Sequence, residues 1–226
     1  MNLTPTVFIL DDDASILRAM TRVLQVDGFV TRTWTSARTF LAEHDPSMPG
    51  CLLTDLVMPE MTGLQLQKEL RSQGCERPII FITAYGNMEA AVEGMRAGAV
   101  NFLPKPVRRD ALRDSVRDGL SKDAALRAAS REKQRVFELL ETLTAREHEV
   151  LELVALGFLN KQIAATLNIA EKTTKVHRGR LMQKMHVKSA AALAKLLIDV
   201  ESPLIRSAMA DPQRPVSLTS DNQSIV

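Results

Sequence analysis

The fold is decided at residues 51–63, which read Cys-Leu-Leu-Thr-Asp-Leu-Val-Met-Pro-Glu-Met-Thr-Gly. An apolar run there ends on a lone carboxylate, Asp55, and a proline and a glycine then break the chain. A second apolar run, residues 7–10, is followed at once by three acids at residues 11–13. Parallel strands end at the same edge of a sheet, where folds of this kind bind ligands. Carboxylates that meet at that edge predict a hard-oxygen site that suits Mg²⁺.

Strand and helix signals alternate on both sides of this stretch, up to about residue 120. Between the apolar runs, hydrophobic residues recur at helical spacing, as in Ile16, Met20 and Val23. The pattern predicts an α/β domain, a five-stranded, doubly wound parallel sheet with helices on both faces. The predicted strands cover residues 7–10, 30–34, 51–54, 78–82 and 99–103.

The rest of the chain reads as helix. Residues 109–143 are charged and free of proline, which predicts one long helix or two consecutive ones. In a heptad register that starts at Leu112, four of nine positions are polar or Gly, which favours a solvated linker over a dimerising seam. Four short helices follow, with a capping box at Thr144 and Glu147 and a further cap at Asn160.

Length and composition are those of a globular protein with two domains. The 226 residues are 45% hydrophobic and 25% charged, which supplies two cores and excludes wholesale disorder. Cys51 and Cys75 are too few for a disulfide scaffold and lack metal-ligand spacing. Neither a signal peptide nor a membrane-spanning run is apparent, so we expect a cytoplasmic protein without membrane association.

The net charge of +2 is unevenly distributed. Residues 1–110 carry 11 basic and 13 acidic side chains, and residues 111–226 carry 18 and 14. Within residues 170–190, six Lys or Arg face one acid, Glu171. A charge run is on most helices a solvated face. A stripe as basic as this one is also the footprint of a nucleic-acid surface.

The residues at the predicted strand ends carry a resemblance. Residues 1–120 resemble the receiver domain of two-component response regulators. The matching residues are Asp11 and Asp12 after the first strand, Asp55 after the third, Thr83 after the fourth and Lys105-Pro106 after the fifth. The resemblance implies that Asp55 accepts a phosphoryl group from a sensor histidine kinase, as carboxylate nucleophiles do.

The same resemblance assigns a role to each pocket residue. Asp11, Asp12, Asp55 and the backbone carbonyl of Val57 would hold Mg²⁺, which relieves the repulsion among three crowded carboxylates. Lys105 would supply a cation and Thr83 a hydroxyl donor to the phosphoryl oxygens, and the Lys105-Pro106 bond would be cis. On phosphorylation, Thr83 would move toward the phosphoryl group and Phe102 into the vacated space. The affected face, about residues 87–120, dimerises in related proteins.

Residues 143–196 resemble the LuxR-type helix-turn-helix module of the NarL/FixJ response regulators. The residues that carry the resemblance are Leu143-Thr-Ala-Arg-Glu147, Glu149-Val-Leu151, Gly157, Asn160-Lys-Gln-Ile-Ala164, Leu167 and Lys172-Thr-Thr-Lys-Val-His-Arg178. Helical geometry gives the third helix an inward stripe of Thr174, His177, Leu181 and Met185. The predicted domains are residues 1–120, a helical linker at 121–142, an all-α four-helix domain at 143–200 and a disordered tail at 201–226.

The outward stripe of the third helix is the one that would enter the major groove of promoter DNA. Lys175 and Val176 are the candidates for reading bases. Lys172, Gly179 and Gln183 share their stripe. Phosphate contacts, which position a protein without reading sequence, are assigned to Asn160, Lys161, Thr173, Arg178, Lys184 and Lys188. Three departures from the family pattern, Ala170, Thr174 and Gly179, weaken the module slightly.

These expectations combine into a transcription regulator that is not an enzyme and forms a homodimer on phosphorylation, with RNA polymerase as a further partner. Two alternatives stay open. A constitutive regulator would use the receiver only to dimerise, and a protein-interaction module would dock its basic helix on an acidic protein or RNA.

Overall fold

The computed structural model describes residues 4–84 and 88–200, and the side chains of all of these except residues 88–91. The predicted tail at 201–226 lies outside the described residues. The chain divides into two compact units, Met1–Ala128 and Ala129–Val226. Each unit has its own core.

The first unit is a parallel sheet with the strand order β2-β1-β3-β4-β5. The predicted doubly wound α/β fold is therefore confirmed. Its elements are β1 (Thr6–Leu10), α1 (Ala14–Val26), β2 (Val30–Trp34), α2 (Ala37–Glu43), β3 (Gly50–Asp55), α3 (Gly63–Ser72), β4 (Ile79–Thr83), α4 (Met88–Arg96), β5 (Asn101–Pro104) and α5 (Arg109–Glu141).

The central strands are apolar because helices cover the sheet on both faces. On one face, Phe8, Leu52 and Phe81 pack with side chains of α2 and α3. On the other, Ile9 and Ile80 pack with side chains of α1 and α5. Alternation along each strand thus sends successive residues into two different cores.

Helix α5 is one continuous helix from Arg109 to Glu141, which settles the choice between one helix and two. Three apolar positions of its heptad register pack inside the units: Leu112 and Val116 lie in the core of the first unit and Leu140 in that of the second. Because these three side chains are buried within their own units, they are not exposed for a dimerising seam.

The second unit contains the four predicted short helices, α6 (Ala145–Ala155), α7 (Asn160–Thr166), α8 (Glu171–Lys184) and α9 (Ala190–Asp199). The capping box of Thr144 and Glu147 is confirmed. Ala170 stands at the N-cap of α8 without a side-chain cap, and the Thr174 hydroxyl bonds to its own helix through Ala170 O at 3.4 Å, both as predicted.

The prediction that Asn160 caps α7 is wrong. Leu159 occupies the N-cap position, and Asn160 is the first residue of the helix. The Gln162 side chain closes the helix start instead, because its Oε1 accepts a hydrogen bond from the Leu159 amide at 2.8 Å. The carboxamide of Asn160 is thereby left for a contact with α8, which is described below.

Candidate functional site

Three acids meet at the carboxyl edge of the sheet. Asp11 follows β1 and is fully buried, Asp55 ends β3 with 9% of its surface exposed, and Asp12 is exposed. One carboxylate oxygen from each of the three lies within 4.8 Å of the others. The strand ends therefore bring together the carboxylates that the sequence predicted.

Lys105, which follows β5, places its ammonium between two of these acids. Its Nζ donates to Oδ2 of Asp55 at 2.8 Å and to Oδ2 of Asp11 at 2.9 Å. Partial burial lowers the pKa of Lys105, but the hydrogen bonds and charges of Asp55 and Asp11 outweigh it, so the pKa is raised overall. Lys105 is therefore a fixed cation, and its bond to Pro106 is cis, as the resemblance implied.

Backbone amides hold the other oxygen of each buried carboxylate. The Asp13 amide donates to Oδ1 of Asp11 at 2.9 Å, and the Val57 amide donates to Oδ1 of Asp55 at 3.4 Å. Both carboxylates are thus oriented from two sides. Oriented carboxylates at this spacing are the hard-oxygen donors that Mg²⁺ takes, so the residues present fit the ion that receiver domains bind.

Thr83 and Phe102 lie beside the pocket on neighbouring strands. Phe81 pairs with Phe102, and Thr83 pairs with Pro104, so Thr83 and Phe102 project from the same face of the sheet. The Thr83 hydroxyl donates to the carbonyl of Ala84 at 3.0 Å. The ring of Phe102 rests on Phe81 with 4.8 Å between ring centroids. In the part of the chain that the structure describes, neither side chain forms a hydrogen bond with Asp55.

Helix α8 has the two faces that its sequence predicted. Thr174, Leu181 and Met185 are buried in the second unit and His177 is half-buried. The opposite stripe is exposed and consists of Lys172, Lys175, Val176, Gly179 and Gln183. Lys175 pairs with Glu171 at 3.1 Å, but both side chains are largely exposed, and such a pair contributes little. A basic exposed stripe thus faces away from the core.

The six residues assigned to phosphate divide into three groups. Lys161, Thr173 and Lys188 are exposed. Arg178 and Asn160 contact each other, because Nη1 of Arg178 donates to Oδ1 of Asn160 at 2.9 Å and links α8 to α7. Lys184 lies against the interior: its Nζ donates to Oε2 of Glu147 at 2.7 Å and to the Thr142 carbonyl at 2.8 Å.

The Glu147–Lys184 pair is a feature that the sequence did not indicate. The Glu147 side chain is 3% exposed, and the hydrogen bond from Lys184, followed by the one from the Thr144 amide, lowers its pKa to about 2. Glu147 thus has a second partner besides the capping box. Lys184 stabilises the packing of α8 on α6, which is a different role from the phosphate contact assigned to it.

Arg180 is a basic residue of α8 that is not among the nucleic-acid contacts predicted from the sequence. It is exposed, and at about 100° per residue it lies closer to the exposed stripe of α8 than Thr173 or Lys184 does. The position of Arg180 in the helical repeat could have identified it from the sequence alone. Arg180 therefore joins the candidates for nucleic-acid contact.

Over residues 4–84 and 88–200, no helix combines the length and the apolar composition needed to cross a bilayer.

Comparison with known proteins bears on both units. Residues 7–117 match the model of the response regulator receiver domain, and residues 141–197 match that of the bacterial regulatory proteins of the luxR family. The response regulator protein TodT of Pseudomonas putida is 39% identical over 84% of this chain and 84% of its own. Nodulation protein W of Bradyrhizobium diazoefficiens is 40% identical over the same shares.

Solved structures give the same result. The response regulator StyR superposes with a TM-score of 0.77 at 43% identity, over 86% of this chain and 98% of its own. Full-length FixJ from B. japonicum gives a TM-score of 0.55 at 28% identity, over 88% of this chain and 98% of its own. The chain therefore belongs to the response regulators that join a receiver domain to a LuxR-type DNA-binding domain and regulate transcription.

Proposed function

We propose that phosphorylation of Asp55 by a sensor histidine kinase controls dimerisation and sequence-specific DNA binding by this regulator. The observation that carries the proposal is the placement of Asp55. Its carboxylate lies at the edge of the sheet, held by the Val57 amide and the Lys105 ammonium and grouped with two further acids. A nucleophile, a fixed cation and ligands for a divalent cation are thus in one place.

The chemistry follows from this arrangement. An oxygen of Asp55 attacks the phosphorus of a phosphohistidine; the new P–O bond forms as the P–N bond breaks, and the histidine nitrogen leaves with the electron pair. Lys105 stabilises the charge on the transferred oxygens. Asp11, Asp12, Asp55 and the Val57 carbonyl would hold Mg²⁺, which supplies charge neutralisation. The transfer modifies the protein itself, so we do not propose turnover of an external substrate.

Thr83 and Phe102 would transmit the effect of phosphorylation from the pocket to the protein surface. A phosphoryl group adds about 1.5 to 2 negative charges and strong acceptor oxygens. The Thr83 hydroxyl, now bonded to Ala84, would turn to the phosphoryl group, and Phe102 would move toward the space that Thr83 leaves. The surface expected to respond, about residues 87–120, would then form the homodimer; Asn87 lies outside the described residues.

In the dimer, two copies of α8 would reach adjacent half-sites of promoter DNA. Lys175 and Val176 would read bases, and the pairing of two weak binding events would raise occupancy. In this proposal, residues 1–120 form the receiver, residues 121–142 the helical linker, residues 143–200 the DNA-binding domain and residues 201–226 the tail. Because the proposed target is promoter DNA, we place the protein in the cytoplasm, with RNA polymerase as a further partner.

An Asp55→Asn protein tests the proposal, with Glu76→Gln, an exposed acid that precedes β4 and lies outside the proposed dimer surface, as the control. Acetyl phosphate and Mg²⁺ should modify the wild type and the control but not Asp55→Asn, as mass spectrometry would detect. Phosphorylation should convert the wild type to a dimer, as the molar mass measured by light scattering would show. It should also increase the affinity for a promoter fragment. We expect this binding to fall steeply with salt, because several phosphates are neutralised.

Three results would contradict the proposal. Equal DNA affinity before and after phosphorylation would favour a constitutive regulator. Binding that varies little with salt, or no retention of promoter fragments, would favour docking on another macromolecule. A Thr83→Ala protein that is phosphorylated normally and still gains full DNA affinity would refute the route through Thr83.

A further inference from the structure

Gly94, on the buried side of α4, lies directly against the ring of Phe102. A Cβ atom built on Gly94 would stand 2.4 Å from Cζ and 3.0 Å from Cε2 of Phe102, and 3.1 Å from Cδ2 of Leu64. Non-bonded carbon atoms stay about 3.5–4.0 Å apart. The ring of Phe102 therefore occupies the volume that any side chain at position 94 would need.

The ring of Phe102 also packs against Phe81. This residue is fully buried, and its ring centroid lies 4.8 Å from that of Phe102. Phe81 is itself packed against the start of α3, since a Cβ on Gly63 would stand 2.8 Å from its Cε1. Phe81 thus has little room to retreat. A side chain at position 94 would overlap most with the ring of Phe102 and would therefore favour a ring position away from α4.

This contact coincides with the switch proposed above. Thr83 is the next residue after Phe81 on the same face of β4, and Phe102 is the partner of Phe81 on β5. The hydroxyl of Thr83 is bonded to Ala84, which is the arrangement expected before phosphorylation. The position of Phe102 against Gly94 is then its resting position, and leaving that position is the proposed response.

We infer that Gly94 is a positioning residue of the switch: because it has no side chain, the ring of Phe102 can pack against the backbone of α4, and this contact stabilises the resting state. The inference rests on the proposed phosphorylation of Asp55. Glycine is a poor residue for the interior of a helix, so its presence in α4 is consistent with a packing requirement that alanine would not meet. The residue at position 94 thereby sets how far the resting state is favoured over the switched state.

The test is a cycle of variants at the two positions, measured without and with beryllofluoride and Mg²⁺, on a promoter fragment retained by the beryllofluoride-treated wild type. Gly94→Ala should raise the DNA affinity of the untreated protein at least about fivefold and leave that of the treated protein unchanged. Phe102→Leu removes Cζ, so Gly94→Ala should have no further effect in that background.

Phe102→Tyr provides an independent variant, because it adds an oxygen to Cζ, the ring atom nearest to the empty Cβ position of Gly94. It should also raise the untreated affinity, and it keeps the test in force if Gly94→Ala does not fold. Phosphorylation of Asp55 by acetyl phosphate, measured on each variant, shows that the pocket is intact.

The outcomes separate the two proposals. If the wild type gains no DNA affinity with beryllofluoride, the phosphorylation switch fails and the inference about Gly94 fails with it. If the wild type responds but Gly94→Ala and Phe102→Tyr bind as weakly as the untreated wild type, the inference about Gly94 alone is overturned. If Gly94→Ala changed the DNA affinity equally with Phe or Leu at position 102, the inference would also be overturned, because the cause would then be helix stability and not the contact between Phe102 and Gly94.

Discussion

The ammonium of Lys105 lies 2.8 Å from Oδ2 of Asp55, so the proposed phosphoacceptor is partly neutralised before any phosphoryl group arrives. The same Nζ is bonded to Asp11. Two of the three carboxylates that would bind Mg²⁺ therefore already share one cation. Lys105 and Mg²⁺ should thus compete for the same oxygens, even though both assist the transfer.

Removing the ammonium should make this competition visible. A Lys105→Met protein should bind Mg²⁺ about tenfold more tightly, a gain of about 1.4 kcal/mol. Exposure of the pocket to solvent keeps the gain below the full Coulomb energy of adjacent charges. Its phosphorylation by acetyl phosphate should be slower, because the transferred oxygens lose a cation. Calorimetric titration with Mg²⁺ measures the first effect; Lys68→Met, on the surface, is the control. Unchanged Mg²⁺ affinity would show that Lys105 does not compete.

A second prediction concerns the opposite edge of the sheet. Asp123 of α5 is 4% exposed and accepts hydrogen bonds from the Gly50 amide at 2.8 Å and from Nε of Arg127 at 2.9 Å. The guanidinium also binds the carbonyls of Ser47 and Met48 at 2.8 and 2.6 Å. Asp123→Ala would leave a partly buried cation and a buried amide without this partner, so we expect a loss of about 3–5 kcal/mol.

The single tryptophan, Trp34, lies in the first unit, so its fluorescence during urea unfolding reports on that unit alone. Asp118→Ala, at an exposed position of the same helix, should change stability by less than about 0.5 kcal/mol. A similar small change for Asp123→Ala would mean that the network does not stabilise the receiver.

A third prediction concerns acid. The pKa of Glu147 is lowered from 4.5 to about 2, so the Glu147–Lys184 pair stabilises the second unit fully above about pH 4.5. This contribution is lost as the pH falls from about 4.5 toward 2, because in this range the Glu147 carboxylate binds a proton in the unfolded state and not in the folded state. Glu147→Gln should cost about 2 kcal/mol at pH 7, the value of a hydrogen bond to a charged group.

The difference between wild type and Glu147→Gln should shrink below pH 4.5 and approach zero near pH 2. Urea unfolding followed by the helical circular dichroism signal measures it, with Trp34 fluorescence recorded in parallel to mark the receiver transition. Glu141→Gln, at an exposed position nearby, is the control. A difference that does not vary with pH would contradict the assigned pKa.

The sequence predicted what topology alone determines. Asp11, Asp55 and Lys105 meet because parallel strands end at one edge, whatever the details of packing. The faces of α8 followed from its helical period in the same way. Contacts between elements were not predictable: Lys184 reaches Glu147, and Gly94 meets Phe102, because of the distances and angles at which helices pack. Those depend on the whole core and leave no periodic signal in the sequence.

The final prediction separates the roles of two cations on α8. Arg180 lies beside the exposed stripe of α8 and should contact phosphate, so Arg180→Ala should weaken binding uniformly across DNA sequences and reduce the salt slope by about 1. Lys175 lies within the stripe, so Lys175→Ala should instead relax the preference at one base pair, by about 1–3 kcal/mol. Salt titrations on a promoter fragment and its single-base variants distinguish the two. Lys195→Ala, an exposed cation on α9, should change neither. Because phosphate contacts carry no sequence information, loss of base preference in Arg180→Ala would assign Arg180 to the groove instead.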